Sequence, residues 1–311
     1  MRKFAFVILH YNAIDETKKC IESVRALKGQ EDIGIVVVDN ASPNGSGKVL
    51  QSLYSGEAQI KILLRDQNDG FSRANNEGVL LAMKVFAPHF YIVTNNDTEF
   101  KQYDFTDRIE QEYQHSHFNV LGPDVYVPEK DIHQSPKRKE PPTFKEVCKT
   151  ILFNRIFLAF YGFTASYMVN YFKKNTAKGT TMNHKEYQQK VCLVGACLIF
   201  DSNYVSLRIE EDSKCPVFAP ETGFYFEEYL LRLWCDRRDL AIVYQPKLRV
   251  LHHDAVATGS SIRSDKERCR FIMQETLEAA KVYRKFVIGT MGMPALLRCI
   301  SSLFRVYYYY G

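Results

Sequence analysis

The sequence is short of several features that would each have pointed to a different class of protein. Its eight cysteines contain no Cys-x-x-Cys pair, which argues against a zinc ribbon or a thioredoxin-type redox motif. Their scattered spacing instead suggests free thiols in a reducing compartment. Neither sign of charge collects into a long run. The net charge is only +5 over 311 residues, and no RNA- or DNA-binding motif is present, so nucleic acid is not expected as a partner. A slightly positive balance suits an anionic ligand or an anionic membrane surface. The N-terminus, Met1-Arg2-Lys3-Phe4, runs straight into strand-like sequence without a secretory leader and its cleavage site. A cytoplasmic location is therefore expected, with peripheral attachment at the inner face of the plasma membrane as its only membrane association. The most apolar long stretch, Ile151 to Phe172, is broken by Asn154, Arg155 and Asn170 and reads as a core or interfacial helix rather than a span. There is one tryptophan, Trp234, on the apolar side of a predicted helix, which marks it as core. No repeat occurs, and the only low-complexity tract is Tyr307 to Tyr310.

What is present is an alternation. Phe4 to Leu9, Ile33 to Val38, Ile60 to Leu64 and Phe90 to Val93 are short apolar runs rich in strand formers. Between them lie segments of helical spacing: Cys20, Ile21, Val24 and Leu27 in the first, with Gly29 as a candidate C-cap; Val49, Leu50 and Leu53 in the second; Ser72 to Val85 in the third. A β-α-β-α-β-α-β order predicts an α/β fold with a mostly parallel sheet flanked by helices. Right-handed crossovers then bring all four strand ends to one edge, where ligands bind in open α/β sheets. Those ends are polar: Tyr11-Asn12, Asp39-Asn40, Asn68-Asp69-Gly70-Phe71, and Asn95-Asn96-Asp97. An Asx-rich strand end of the last kind offers oxygen ligands that suit Mg²⁺ or Mn²⁺ holding a diphosphate.

The rest of the chain is less regular. Pro136-Lys137-Arg138-Lys139-Glu140-Pro141-Pro142 reads as an exposed basic connector. Val191 to Phe200 reads as a strand with Gly195-Ala196 at its centre, small residues that mark close approach by a ligand or another backbone. Phe224 to Arg238 reads as a helix with Glu227 and Glu228 in its first turn; Ala241 to Tyr244 and Leu248 to Leu251 read as two short strands, the second running into His252-His253. A helix is expected from Ser264 to about Val287, followed by a tail with Leu296, Ile300, Leu303 and Tyr307 on one stripe that suits a membrane interface.

Taken in order, ILHYN, VVVDNAS, NDGFSRANNEG, VTNND, GACLIF, FAPETGFYFEE and LHH resemble the inverting family 2 glycosyltransferases of GT-A fold, in particular the bacterial rhamnosyltransferase-like branch that builds O-antigen, capsule and cell-wall polysaccharide. The resemblance runs from about Phe4 to His253. It implies a GT-A domain over residues 1–265, divided into a nucleotide-sugar half (1–123), a variable insertion (124–190) and an acceptor and catalytic half (191–265), with a helical segment over 266–311. It implies that Asp39 holds the nucleobase, helped by the backbone from Leu9 to Tyr11, and that Asn68, Gly70 and Phe71 lie against the nucleotide. Asn12, Asn40, Asn76 and Asn96 complete the expected nucleotide-sugar set. Asp97 is the implied metal ligand, joined by His252 or His253, with Mn²⁺ or Mg²⁺ as cofactor. Glu228 is the implied catalytic base and Glu227 its support, and Gly195-Ala196 is expected at the acceptor wall. Two departures stand out: Glu228 replaces the usual Asp, and Leu230 occupies a position that is often a second Asp.

The activity so implied is metal-dependent, inverting transfer of a sugar from a nucleotide-diphosphate donor to a saccharide or lipid-linked saccharide. The altered acidic positions motivate one alternative, a module on the same scaffold that binds nucleotide-sugar or glycan without turnover. A sugar nucleotidyltransferase is disfavoured, because no Gly-rich basic phosphate loop follows the first strand.

Overall fold

The structure, a computed structural model, describes residues 3–176, 179–253 and 264–289. Four parallel strands, β1 (Phe4–His10), β2 (Ile33–Asp39), β3 (Ile60–Leu64) and β4 (Phe90–Asn95), form one half of the sheet in the order β3-β2-β1-β4. They are joined by α1 (Ile14–Arg25), α2 (Ser46–Leu53) and α3 (Phe71–Phe86). Period-two alternation sorts β1 between two cores. Phe4, Phe6 and Ile8 pack with Cys20, Ile21 and Val24 of α1, whereas Ala5 and Val7 pack with Ala74 and Val79 of α3. Burial on both faces is why these strands read as continuous apolar runs.

Beyond β4 come β5 (Thr98–Glu99), α4 (Phe105–Ser116), β6 (Val120–Val127) and β7 (Ile132–His133). Two helices follow, α5 (Phe144–Ala159) and α6 (Tyr161–Thr176), then β8 (Gln188–Gln189), β9 (Cys197–Asp201), α7 (Ser202–Glu211), α8 (Glu227–Arg237), β10 (Ile242–His252) and α9 (Asp265–Ile288). Strand β9 lies antiparallel between β4 and β6, and β10 runs parallel to β6 and antiparallel to β5. The expected α/β fold of GT-A type is therefore met, with the parallel character confined to the first half and to the β6–β10 pair.

Several local expectations are corrected. Gly195-Ala196 sits in a turn before β9 rather than inside a strand. The two short strands after α8 are one, β10, with a register shift between Gln245 and Arg249. The apolar stretch from Ile151 to Phe172 is two helices meeting at Phe160. Gly29 does not cap α1, which ends at Ala26; its left-handed φ of 76° instead starts the turn into β2. The segment read as an exposed basic connector is tied down: Lys137 N donates to Cys192 O (2.8 Å) and Cys192 N to Arg138 O (2.8 Å).

Helix α9 matches its expected span and packs on α5, α6 and the start of α8. Leu277, Ala280 and Tyr283 share a core with Val147, Ile151, Phe226 and Leu230, and Met273 and Cys269 meet Met168 and Tyr161. The tail with Leu296, Ile300, Leu303 and Tyr307 lies outside the described residues. No described helix is long and apolar enough to cross a membrane.

Candidate active site

The carboxyl ends of β1, β2 and β4 lie side by side, with His10 opposite Asp39 and Leu9 opposite Asn95. Each end is shaped by its own hydrogen bonds. Asp39 Oδ1 accepts from the Ser42 backbone N–H (3.2 Å) and from the Ser42 hydroxyl, closing the turn after β2. A Cβ on Gly47 would stand 2.0 Å from Asp39 Oδ2, so α2 reaches this carboxylate only because its second residue is glycine. His10 is enclosed beneath. Its Nδ1 meets Thr17 Oγ1 at 2.6 Å and its Nε2 meets Ser46 Oγ at 2.8 Å. Burial lowers the His10 imidazole below its ordinary range, with Asp39 opposing. Tyr11 is exposed at the mouth, and Asn12 holds a left-handed φ of 61° with its Oδ1 buried and unbonded.

The other expected nucleotide residues divide into two groups. Asn68 and Gly70 form the start of α3. Asn68 Oδ1 accepts from Asn40 Nδ2 (2.9 Å) and from the Gly70 N–H (3.3 Å), and Arg65 Nη1 donates to Asn40 Oδ1 (2.7 Å). Gly70 has φ 105°, and a Cβ there would lie 2.4 Å from Gly223 O. Phe71 N donates to that same oxygen at 2.6 Å. The loop before α3 is thus clamped to the loop before α8, which joins the two halves of the site. The remaining amides turn inward. Asn76 spends both polar atoms on the backbone of Val217 and Phe218, and Asn96 Nδ2 reaches Ala13 O and Thr17 Oγ1. Asn40, Asn76 and Asn96 are buried and organise loops, so they present little to a ligand directly.

Asp97 follows β4 in the turn to β5, and the pairing of β5 with β10 sets Thr98 opposite His252. Asp97 is buried, and its Oδ1 makes no hydrogen bond. His252 Nε2 stands 3.2 Å from that oxygen. The other ring nitrogen, Nδ1, meets Gln134 Oε1 at 2.9 Å. An amide oxygen only accepts, so Nδ1 donates to it, and Nε2 is the ring nitrogen turned towards the Asp97 oxygen. A buried carboxylate oxygen without a hydrogen bond beside an imidazole nitrogen is a pair that a cation can bridge. His253 points elsewhere: its Nδ1 and Nε2 meet Glu129 and Glu99. Burial pulls the His253 imidazole down, but these two carboxylates prevail and raise it. Carboxylate plus imidazole, with the other coordination positions left to water and phosphate oxygens, suits a divalent cation. Among the described residues no group of three His, Cys, Asp or Glu side chains converges on one point.

Glu227 and Glu228 open α8. Glu227 Oε1 would be 3.5 Å from a Cβ on Gly195, and the same Cβ would be 3.9 Å from the Phe71 ring, so the Gly195 turn is the wall between this carboxyl and the start of α3. Ala196 O accepts from Asn95 N (3.0 Å) and Thr94 Oγ1 (3.0 Å), which ties that wall to the end of β4. Glu228 is buried, and its Oε1 is paired with the Lys137 ammonium. One oxygen of each carboxyl, Glu227 Oε2 and Glu228 Oε2, is buried without a hydrogen-bond partner. Burial, reinforced by the neighbouring Glu228 charge, raises the Glu227 carboxyl above its ordinary range. Desolvation pulls the Lys137 ammonium down, but the Glu228 carboxylate outweighs it and holds the charge in place. The two residues before the pair, Tyr225 and Phe226, have left-handed φ values of 68° and 63°. Leu230, where an acid was expected, is buried against Val147 and Ile151 and has no place in the site.

Sequence reasoning missed three contributors. Lys137 is 91 residues from Glu228, and Gln134 is 118 residues from His252; no local pattern links either pair. Gly47 bears no local mark of its contact with Asp39, which only the folded chain brings about.

Comparison with known proteins supplies the family. The model for Glycosyl transferase family 2 matches residues 5–200, more than half of the chain. Glu227, Glu228 and His252 lie past that stretch. A teichoic acid poly(glycerol phosphate) polymerase of Staphylococcus epidermidis is 23% identical over 112 residues, which is 36% of this chain and 15% of the polymerase. Similar solved structures include S. aureus TarS 1-349, at 13% identity and TM-score 0.49, covering 80% of this chain and 60% of that one. The same protein in complex with UDP-GlcNAc is 12% identical at TM-score 0.49, covering 88% and 66%. GalNAc-T7 with UDP, GalNAc and Mn²⁺ is 11% identical at TM-score 0.49, covering 80% and 43%. The chain thus spans only a small part of the curated relative and about two thirds or less of these solved chains. On the match over residues 5–200, the chain belongs to glycosyl transferase family 2.

Proposed function

We propose that this protein transfers a sugar from a nucleotide-diphosphate donor to a hydroxyl of a saccharide or lipid-linked saccharide, with inversion, using Mn²⁺ or Mg²⁺. The observation that carries the reading is the pair formed by Asp97 Oδ1, buried and unbonded, and His252 Nε2, 3.2 Å away at the end of β4. These two residues would hold the cation, which when bound supplies Lewis-acid stabilisation of the leaving diphosphate. Asp39 and the Asn68–Phe71 loop would hold the nucleotide, with Tyr11 and Asn12 at its rim.

Glu228 is the proposed base. Its Oε1 is paired with the Lys137 ammonium, and Oε2 is free to accept the proton of the acceptor hydroxyl as that oxygen attacks the anomeric carbon. Glu227, biased towards its neutral form, would orient the acceptor from beside the Gly195-Ala196 wall. A single base suits one displacement and hence inversion. The segment shared with a teichoic acid polymerase supports a place in cell-surface polymer synthesis, for which the rhamnosyltransferase-like resemblance is a more specific expectation.

We also propose peripheral attachment to an anionic lipid surface, on the cytoplasmic side. Leu152, Ile156 and Phe160 form an exposed row on the outer side of α5, continued by Tyr167 and by Phe163, which is 95% exposed, on α6. Lys145, Lys149, Arg155 and Lys174 lie on these two helices, whose own residues include one acid, Glu146, so the charge complements anionic headgroups; Lys173 is paired with Asp265 of α9 (2.6 Å).

The test is a donor screen with uridine and thymidine diphosphate sugars and either metal, read by binding and by slow donor hydrolysis. Asp97→Ala should weaken both. Glu228→Gln should keep binding and lose transfer. Absence of binding to every donor with both metals would refute the reading; binding without transfer to any acceptor would favour a non-catalytic module.

A further inference from the structure

The chain leaving β7 forms a short strap across the site. Ile132 and His133 pair with Val127 and Tyr126, and Gln134 N donates to Val125 O (2.8 Å). Ser135 and Pro136 are buried, and Lys137 N donates to Cys192 O (2.8 Å). The strap therefore starts beside the cation site, where Gln134 Oε1 meets His252 Nδ1 at 2.9 Å, and ends beside Glu228, which pairs with Lys137. We infer that Gln134 is a positioning residue for the cation. By accepting from Nδ1 it reserves the Nε2 lone pair of His252 and keeps the Asp97–His252 pair open to a metal. This role rests on the transferase reading and deepens its metal site.

Three observations carry the assignment. First, the pairing of His252 with Thr98 fixes the backbone of the histidine but not its ring, so the ring is set by what its two nitrogens meet. Second, Nε2 comes within 3.2 Å of Asp97 Oδ1, yet that buried oxygen makes no hydrogen bond. The close pair is not satisfied from within. Third, Nε2 also stands 3.5 Å from Asn95 Nδ2, an amide nitrogen that only donates. A ring nitrogen facing a donor is matched when it carries a lone pair.

The opposite arrangement shows what Gln134 prevents. His252 and Asp97 are both buried. Without an acceptor at Nδ1, an N–H there would go unpaired, which is costly in a buried place. The proton would pass to Nε2, and that N–H would turn onto Asp97 Oδ1 and close the pair on itself. A cation would then have to break this bond in order to bind. Gln134 satisfies the Nδ1 N–H and removes the competition. Imidazole ligands commonly hold their other N–H in this way, and losing the partner costs about 10–100-fold in metal affinity.

The test is a titration of the full chain with Mn²⁺ at saturating UDP, with free Mn²⁺ read by electron paramagnetic resonance. Gln134→Leu and Gln134→Ala, which remove the acceptor, should each weaken Mn²⁺ binding roughly tenfold. Gln134→Glu keeps an acceptor at the same reach and should stay within about threefold of wild type. Lys137→Met releases the other end of the strap, which meets Glu228 and the Tyr229 ring, and should change Mn²⁺ affinity less than about twofold. Unaltered Mn²⁺ affinity in the Leu and Ala variants overturns the inference. A loss in Gln134→Glu as large as in Gln134→Leu also overturns it, because the acceptor would then not matter. An equal loss in Lys137→Met overturns it by assigning the effect to the strap as a whole. A wild type that binds UDP but no Mn²⁺ would strike the metal part of the transferase reading as well, an outcome distinct from the other three.

Discussion

Replacing Lys137 by Met tests the proposed base most directly, because it removes one positive charge from Glu228 and little volume. Two unit charges about 4 Å apart interact by about 1 kcal/mol in water and about 4 kcal/mol at an effective dielectric near 20. The Lys137 side chain is 41% exposed and that of Glu228 is 4% exposed, so the lower part of this range applies. Since one pKa unit corresponds to about 1.4 kcal/mol, the acid limb of the pH profile should move by about one unit. The sign follows from the mechanism. The base works deprotonated, the ammonium favours the deprotonated form, and its loss moves the limb upward. At pH values below the limb, kcat/KM should fall roughly tenfold, whereas near pH 9 it should change little. Lys137→Arg should leave the limb in place. The assay is kcat/KM for transfer across pH 5 to 9 at saturating metal. A limb that stays put or moves down would refute the role given to Lys137, and an equal loss at every pH would mean that it acts through binding alone.

Further outcomes follow from other parts of the site. Glu227→Gln imitates the neutral carboxyl that burial favours, so it should cost less than tenfold in kcat, while Glu228→Gln should cost 10²-fold or more; equal losses would reverse the two roles. Asp97→Asn removes the charge facing His252 and should raise the Mn²⁺ concentration needed for nucleotide binding at least tenfold, which nucleotide titrations at several metal concentrations would measure. Gly70→Ala forces a Cβ to 2.4 Å from Gly223 O at a φ of 105°, and should cost roughly 2–4 kcal/mol, seen as a Tm lower by about 5–10 °C; an unchanged Tm would mean that the clamp between the two loops yields easily. Phe163→Asp should cut co-sedimentation with anionic vesicles roughly tenfold, at about 1–2 kcal/mol of lost apolar insertion, and unchanged binding would exclude the α6 face as the contact.

Much of the first half of the sheet was legible in the sequence. Four apolar runs separated by helical spacing fix four parallel strands, and parallel strands end on one edge whatever the details of packing. The polar residues after β1, β2 and β4 therefore had to gather, and Asn68-Asp69-Gly70-Phe71 had to open α3. Local chemistry also reached α9, whose start is marked by Ser264 and Glu267, and they form a capping box in the structure. It could not tell which of these polar residues face outward. Asn76 and Asn96 have the composition of ligand-binding residues, yet their amides are spent on backbone groups brought close by folding.

The second half shows the limit more sharply. The sequence places His252 and His253 side by side at the end of a strand, but a strand turns successive side chains to opposite faces. Only the pairing of β5 with β10 decides that His252 meets Asp97 while His253 goes to Glu99 and Glu129. In the same way, Glu227-Glu228 declares itself as an acidic pair opening a helix, a local pattern. That Lys137 neutralises one of the two, and that Gly195 walls off the other, depends on segments joined only by tertiary contacts. The sequence by itself determined the strands, the shared edge and the kinds of ligand atom gathered there, because these follow from periodicity and chain direction. The tertiary structure decided which atoms face one another and which charges are paired, because those depend on long-range register and on the few places where glycine lets backbones touch.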